Sequence, residues 1–201
     1  MKQRFAIGVL LLVTMPMVAV GVLYMTNSLA YKELPNYGKL PSFQFTERSG
    51  QALSDADLKR KVWIGSFIFT SCGGQCPLIV AELKKIQKAL RFKDNFRLIS
   101  FTLDPTRDTP NRLSEYAQGV AADPYKWLFL TGENIEIQKL VQSGFQLASV
   151  GAEKMDGDIV HSSMLVLMDG GGRIRGYYDS TDADRMKTLM KDAKGLIRGT
   201  Y

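Results

Sequence analysis

Cysteine and histidine are scarce in this sequence, because its 201 residues include 2 cysteines and 1 histidine. A small disulfide-rich scaffold and a zinc site built from four cysteine or histidine ligands are therefore excluded. No G-x-S-x-G turn occurs, which argues against a serine hydrolase that would use the single histidine as its base. The formal net charge is +6, but basic residues are not clustered with aromatic ones, so we expect no nucleic-acid binding.

The composition is that of a globular protein, with 45% apolar and 23% charged residues, and the length suits one folded domain with an appendage. The appendage is the uncharged run Phe5–Tyr24, since about 20 apolar helical residues span a bilayer. Basic residues and no acidic ones precede this run, so we expect the remainder of the chain in the periplasm or another extracytoplasmic space. Residues 1–25 are thus predicted to be a transmembrane anchor. The alternative is a cleavable signal peptide that ends near Ser28 and Ala30.

Beyond a polar linker at residues 26–39, turn residues and hydrophobic periodicity predict one α/β domain over residues 40–201. The predicted order is a β-hairpin, three strands that alternate with helices, a second β-hairpin and a final helix. This order implies a central mixed sheet flanked by helices on both faces. After the first hairpin the predicted strands are Val62–Phe69, Phe96–Leu103, Trp127–Leu130, His161–Met168 and Arg173–Tyr178, and the predicted helices before the last one are Pro77–Arg91, Pro110–Gly119 and Glu133–Gln142.

The two cysteines, Cys72 and Cys76, lie between the predicted strand Val62–Phe69 and the predicted helix Pro77–Arg91. Active groups in open α/β sheets collect at the carboxyl ends of strands, and the partial positive charge of a helix N-terminus stabilises a thiolate. Two glycines between the cysteines let the backbone turn tightly, so the sulfur atoms can face one another. The pair could form a redox-active disulfide, bind a soft metal ion or serve as a permanent structural disulfide.

The single histidine, His161, opens the predicted strand that ends at Met168, and both faces of this strand are mostly apolar, as in a buried central strand. By itself such a histidine is more typical of a hydrogen-bonded core or loop residue than of a metal ligand. Together with Cys72 and Cys76 it would complete a site of two thiolates and one imidazole. Thiolates favour Cu(I), and a planar arrangement with nitrogen suits Cu(II). We therefore expect copper, with zinc as a chemically possible alternative.

Three motifs occur in a fixed order along the chain. They are Phe69-Thr70 before Cys72-x-x-x-Cys76-Pro77, the segment Ser100-Phe101-Thr102-Leu103-Asp104-Pro105-Thr106-Arg107-Asp108-Thr109-Pro110, and His161 in a strand followed by an Asp-Gly turn. With these motifs the chain resembles, over roughly Leu40 to Tyr201, the SCO/SenC family of membrane-tethered copper chaperones.

The resemblance implies a thioredoxin-like fold in which Cys72, Cys76 and His161 bind copper. It also implies a role in assembling the binuclear copper centre of cytochrome c oxidase, either by delivering the metal or by reducing the recipient's cysteines. Asp104 and Asp108 match acidic positions associated with the family's site. Turn formation and helix capping are the alternative explanation for these two residues.

One departure from the family concerns the segment Gly73-Gly74-Gln75, where many members have proline and then an acidic or polar residue. A more flexible loop would favour disulfide exchange, so the alternative function is a thiol-disulfide oxidoreductase that uses the cysteine pair without a metal. A thiol peroxidase is disfavoured because the Thr-x-x-Cys arrangement of peroxiredoxins is absent. A basic stripe on the last predicted helix is interpreted as a solvated face, and it comprises Lys187, Lys191, Lys194 and Arg198.

Overall fold

The computed structural model describes residues 14–20, 33–72, 76–147, 153–154, 160–161 and 163–199. The chain divides into two units, one of Met1–Glu33 with Thr200–Tyr201 and one of Leu34–Gly199. In the first unit residues 14–20 are helical (α1). Among the described ranges there is no helix with the length and apolar character needed to cross a membrane. Most of the predicted anchor over residues 1–25 lies outside those ranges.

The second unit is built on a seven-stranded mixed sheet. Its strands are β1 (Gln44–Glu47), β2 (Ala52–Ser54), β3 (Val62–Ile68), β4 (Phe96–Thr102), β5 (Trp127–Thr131), β8 (Met164–Met168) and β9 (Ile174–Asp179). They lie side by side in the order β2-β1-β5-β4-β3-β8-β9. The central strands β3, β4 and β5 are parallel, and β1 and β8 flank them in antiparallel orientation. The hairpins β1-β2 and β8-β9 are the two that the sequence predicts.

Helices cover both faces of this sheet, as predicted. They are α2 (Cys76–Leu90), α3 (Pro110–Gly119) and α5 (Ala183–Arg198) on one face, and α4 (Asn134–Lys139) with the following π-helical turn Leu140–Gly144 on the other. In α2 the apolar residues Ile79, Leu83, Ile86 and Leu90 recur at helical spacing, and all of them are buried. Burial of this stripe against the sheet fixes the helix that carries Cys76.

The adjacent strands β3 and β4 are almost entirely buried, which holds their carboxyl ends in place. Every residue of β3 is buried, as expected for a parallel strand covered on both faces. The buried Ser66 hydroxyl lies 2.7 Å from that of Ser100 in β4. The indole N–H of Trp127 donates to the Ser100 hydroxyl at 2.9 Å. These hydrogen bonds satisfy the three polar side chains in the middle of the sheet.

Residues 34–40, most of which fall in the predicted linker, run along the edge strand β9. The Tyr37 N–H donates to the carbonyl of Ile174 (3.0 Å), and the Arg175 guanidinium donates to the carbonyl of Leu34 (2.7 Å). These contacts explain why the folded unit begins at Leu34.

The prediction of one strand from His161 to Met168 is wrong, because the chain forms two strands in different sheets there. β7 (Val160–His161) pairs with β6 (Glu153–Lys154) as a separate antiparallel pair. β8 begins at Met164 and pairs with β3 and β9. Hydrophobic periodicity does not separate them, because both pieces are extended and flanked by apolar residues. His161 is therefore not on a central strand.

Candidate metal and redox site

Cys72 lies in the turn that follows the central strand β3, at the carboxyl edge of the sheet. Its backbone N–H donates to the carbonyl oxygen of Phe69 (3.1 Å), which closes the turn. Cys72 is a free, partly exposed cysteine that packs against the core covered by α2. Because α2 begins at Cys76, the second cysteine stands at the helix N-terminus, where the sequence predicts it. The residues between them, 73–75, lie outside the described part of the chain.

Asp108 connects β4 to the loop that follows β3 and carries Thr70 and Cys72, which we call the cysteine loop. Its buried carboxylate accepts hydrogen bonds from the Thr70 N–H (3.0 Å) and hydroxyl (2.5 Å) and from the Thr102 hydroxyl (2.5 Å). Helix capping is not its role, because the Thr109 hydroxyl accepts from the Arg112 N–H (3.4 Å) and caps α3. A hydrogen-bonded buried carboxylate of this kind is rigid. Asp108 therefore fixes the backbone two residues before Cys72.

Asp104 lies two residues after the end of β4, as Thr70 lies two residues after the end of β3. Its side chain is about 10% exposed, and its Oδ2 lies 3.1 Å from Nε of the largely exposed Arg107. This contact is an ion pair that lacks hydrogen-bond geometry, so Oδ2 has no hydrogen-bond partner among the described residues. The Asp104 carbonyl also accepts from the N–H groups of Arg107 (3.1 Å) and Asp108 (2.9 Å). Turn formation is thus one role of Asp104, and its carboxylate is held beside the Arg107 guanidinium.

The strand order places the start of β8, three residues after His161, at the edge where β3 ends. β8 is antiparallel to β3, with Gly65 opposite Val166, so the start of β8 and the end of β3 lie at the same edge. His161 precedes Met164, the first residue of β8, by three residues, which span at most about 11 Å of extended chain. The segment that carries His161 thus lies within three residues of the strand end that shares an edge with the end of β3.

The ligand set itself stays a prediction. In the described part of the structure, no three His, Cys, Asp or Glu side chains lie close enough together to hold a metal ion. The side chains of Cys76 and His161 lie outside that part. What the structure shows is the free thiol of Cys72 and the N-terminus of α2 at Cys76.

A third carboxylate, that of Asp179, lies at the same edge. Asp179 is the last residue of β9 and lies opposite Met164. The backbone N–H of Thr181 is the main cause that lowers the pKa of Asp179 below 3.8, and the hydroxyls of Thr181 and Ser163 act in the same direction against burial. The negative charge of Asp179 is thus kept near the start of α5.

Sequence reasoning missed the two threonines that hold Asp108. Thr70 and Thr102 follow or end the central strands β3 and β4, and both fall inside the motifs quoted above. The signal in the sequence is a polar residue at the carboxyl end of each of two adjacent parallel strands, and it could have predicted that the two threonines lie close together.

The sequence model of the SCO1/SenC family matches residues 33–198. The chain belongs to the SCO1/SenC family. The SCO1 protein homologue of Bacillus subtilis is 30% identical over 165 residues, which cover 81% of this chain and 84% of the relative.

Solved structures of SCO1/SenC proteins share the thioredoxin-like fold. A SCO1/SenC lipoprotein from Bacillus anthracis superposes with a TM-score of 0.72 at 30% identity, covering 83% of this chain and 99% of the other. BsSco, a member of the Sco family of cytochrome c oxidase assembly proteins in which a disulfide switch was identified, gives 0.71 at 29% identity over 83% and 97%. Bradyrhizobium japonicum ScoI with copper bound gives 0.64 at 27% identity over 79% and 99%.

Proposed function

We propose that this SCO1/SenC protein is a copper-binding assembly factor that delivers copper to, or matures the copper site of, a cytochrome c oxidase or another copper protein. The observation that supports this most is the shared edge of β3 and β8, from which the cysteine loop and the segment carrying His161 both extend. The copper-bound relative and the assembly role named for BsSco support the same function.

In this proposal copper is the cargo, and Cys72, Cys76 and His161 are its ligands. Two thiolates and one imidazole suit Cu(I), and a fourth ligand would suit Cu(II). Cys72 is partly exposed, so a ligand of the recipient can approach the metal and replace one donor at a time. Asp108 acts as a positioning residue through Thr70, and Asp104 is a secondary acidic residue of the site.

Copper titration of the reduced full chain, kept in a neutral detergent, tests the ligand set. We expect one copper ion per chain and a loss of affinity in Cys72→Ser, Cys76→Ser and His161→Ala. Removal of a residue that only hydrogen-bonds to a metal ligand typically lowers metal affinity by roughly 10–100-fold, so removal of a ligand itself should lower copper affinity by at least that factor. Ser71→Ala, in the same loop, is the control and should bind like the wild type. Unchanged binding by Cys72→Ser would show that the ligands are assigned incorrectly. A preference for zinc in competition would show that the metal is assigned incorrectly.

A thiol-disulfide oxidoreductase is the second candidate, and the free, accessible thiol of Cys72 favours it. In that reaction one cysteine thiolate attacks a partner disulfide and forms a mixed disulfide, and one partner sulfur leaves as a thiolate. The other cysteine then attacks the mixed disulfide, so the partner gains two electrons and the Cys72–Cys76 pair becomes a disulfide. His161→Ala separates the two functions, because it should abolish tight copper binding and leave the reduction of a model disulfide unchanged.

The proposal includes a membrane tether formed by residues 1–25 and an extracytoplasmic domain. The uncharged run Phe5–Tyr24 supports it, and a SCO1/SenC relative is a lipoprotein. Mass spectrometry of the protein purified from membranes should find the N-terminal residues intact. A mature chain that begins after Ala30 would show that the segment is a cleaved signal peptide.

A further inference from the structure

A groove of about 550 Å³ lies between α2, the helix that begins with Cys76, and α5. Its floor is apolar and includes Ile86, Met186 and Met190. Its rim carries four lysines and one glutamate, namely Lys85, Lys187, Lys191, Lys194 and Glu82. Three of the four residues of the stripe that the sequence analysis interpreted as a solvated face, Lys187, Lys191 and Lys194, therefore line one wall of a basic groove with an apolar floor.

The positive charge of the rim is only partly compensated. Lys85 pairs with Glu82 (2.6 Å) and Lys187 with Asp184 (2.8 Å), and these pairs are exposed at the helix surface. Such pairs contribute little and can be exchanged for other carboxylates. No described residue forms an ion pair or a hydrogen bond with the exposed Lys191 or Lys194.

The groove leads toward the cysteine loop. α2 begins at Cys76, and α5 begins shortly after β9 ends at Asp179, opposite the first residue of β8. Both helices thus start at the carboxyl edge of β3. Leu78 lies one turn before Glu82 on the same face of α2 and is 58% exposed. An uncovered apolar side chain therefore stands at the end of the groove nearest the cysteines.

We propose that this groove, which we call the α2–α5 groove, binds an acidic amphipathic segment of a protein partner. Carboxylates of the segment would pair with the lysines of the rim, and its apolar side chains would cover Leu78 and the floor between the helices. A concave floor between two helices is the shape that receives such a segment, whereas a lipid surface is flat. Identification of the partner as the protein that exchanges copper or electrons with Cys72 and Cys76 rests on the proposed function.

Fluorescence anisotropy tests the groove with a labelled synthetic amphipathic helix that carries glutamates on its polar face and leucines on the other. The metal-free reduced full chain in neutral detergent should bind this peptide more weakly as salt is added. Lys191→Glu combined with Lys194→Glu should lower the affinity at least about tenfold, because opposite charges across an interface become like charges. Leu78→Ser should also weaken binding, without changing the dependence on salt.

A matched double variant controls for net charge. Lys59 and Lys84 are exposed lysines outside the groove, so Lys59→Glu with Lys84→Glu changes the net charge equally. It should change the affinity no more than about twofold. Equal losses in both double variants, or equal binding of a peptide with lysines in place of the glutamates, would overturn the proposal. Equal urea midpoints show that the variants fold.

Two further measurements separate this proposal from its alternatives. In lipid nanodiscs, protection of residues 183–194 from hydrogen exchange by anionic lipid but not by the peptide would identify a membrane surface and overturn the proposal. Copper titration of the same variants separates the groove from the metal site. Peptide binding without copper binding would refute the proposed function alone, and copper binding without peptide binding would refute the groove alone.

Discussion

Replacement of Asp108 by alanine tests how the cysteine loop is held. The change removes the acceptor of three hydrogen bonds, two from Thr70 and one from Thr102, at a site where Asp108 is 0% exposed. Hydrogen bonds to a charged group contribute about 1.5–3 kcal/mol each, and relaxation recovers part of that. We therefore expect the free energy of unfolding to fall by about 3–5 kcal/mol, which lowers the urea midpoint by roughly 2 M.

The loop should respond as well as the global stability. With Asp108→Ala the Thr70 backbone is released, so Cys72 should be alkylated by iodoacetamide several-fold faster under native conditions. Ser100→Ala is the matched control in the middle of the sheet, because it removes the partner of the Trp127 indole and leaves the Ser66 hydroxyl with only its 3.5 Å hydrogen bond to the Ile99 carbonyl. It should cost about 1–3 kcal/mol and leave the alkylation rate unchanged. Equal rates in the two variants would refute the positioning role of Asp108.

Two further predictions concern the turn between β8 and β9. Burial, the largest influence, raises the pKa of Asp169, but hydrogen bonds from the Arg173 backbone and side chain help to hold that pKa below 3.8. Asp169 thus stabilises the fold above pH 3.8 and loses this effect as the pH falls through its folded pKa. The urea midpoint of the wild type should therefore exceed that of Asp169→Asn by less at acidic pH than at neutral pH. A difference between the two midpoints that does not change with pH would contradict this. At Gly170 an added Cβ would lie 2.9 Å from the Arg60 Cα, so Gly170→Ala should destabilise by about 1–3 kcal/mol. Gly119→Ala, where no atom lies within 4 Å of the added Cβ, is the control in the same thermal melts, and equal melting temperatures would contradict the prediction.

Much of the architecture could be predicted because the sequence patterns are long and unambiguous. The run Val62–Ile68 is mostly apolar, and β3 is buried along its whole length. The helical spacing of Ile79, Leu83 and Ile86 marks the buried face of α2. In these elements the local pattern and the tertiary burial agree, so the period of the sequence identifies the element.

The region around His161 could not be predicted in the same way. A strand of two residues, such as β7, is too short for hydrophobic periodicity to reveal. The pairing of His161 with Glu153 in β6 is a tertiary contact, which the local sequence pattern does not encode. The role of Asp108 also depends on tertiary contacts, because Thr70 is 38 residues away along the chain. Adjacent parallel strands bring such residues together, and only the strand order shows which ends meet.

The proposed convergence of three donors on one ion is tested most directly by X-ray absorption at the copper edge of the Cu(I)-loaded full chain. The account predicts a first shell of two sulfur atoms and one nitrogen atom in the wild type, with the nitrogen lost in His161→Ala and one sulfur lost in Cys72→Ser. A wild-type shell without sulfur, or a shell that His161→Ala leaves unchanged, would contradict it.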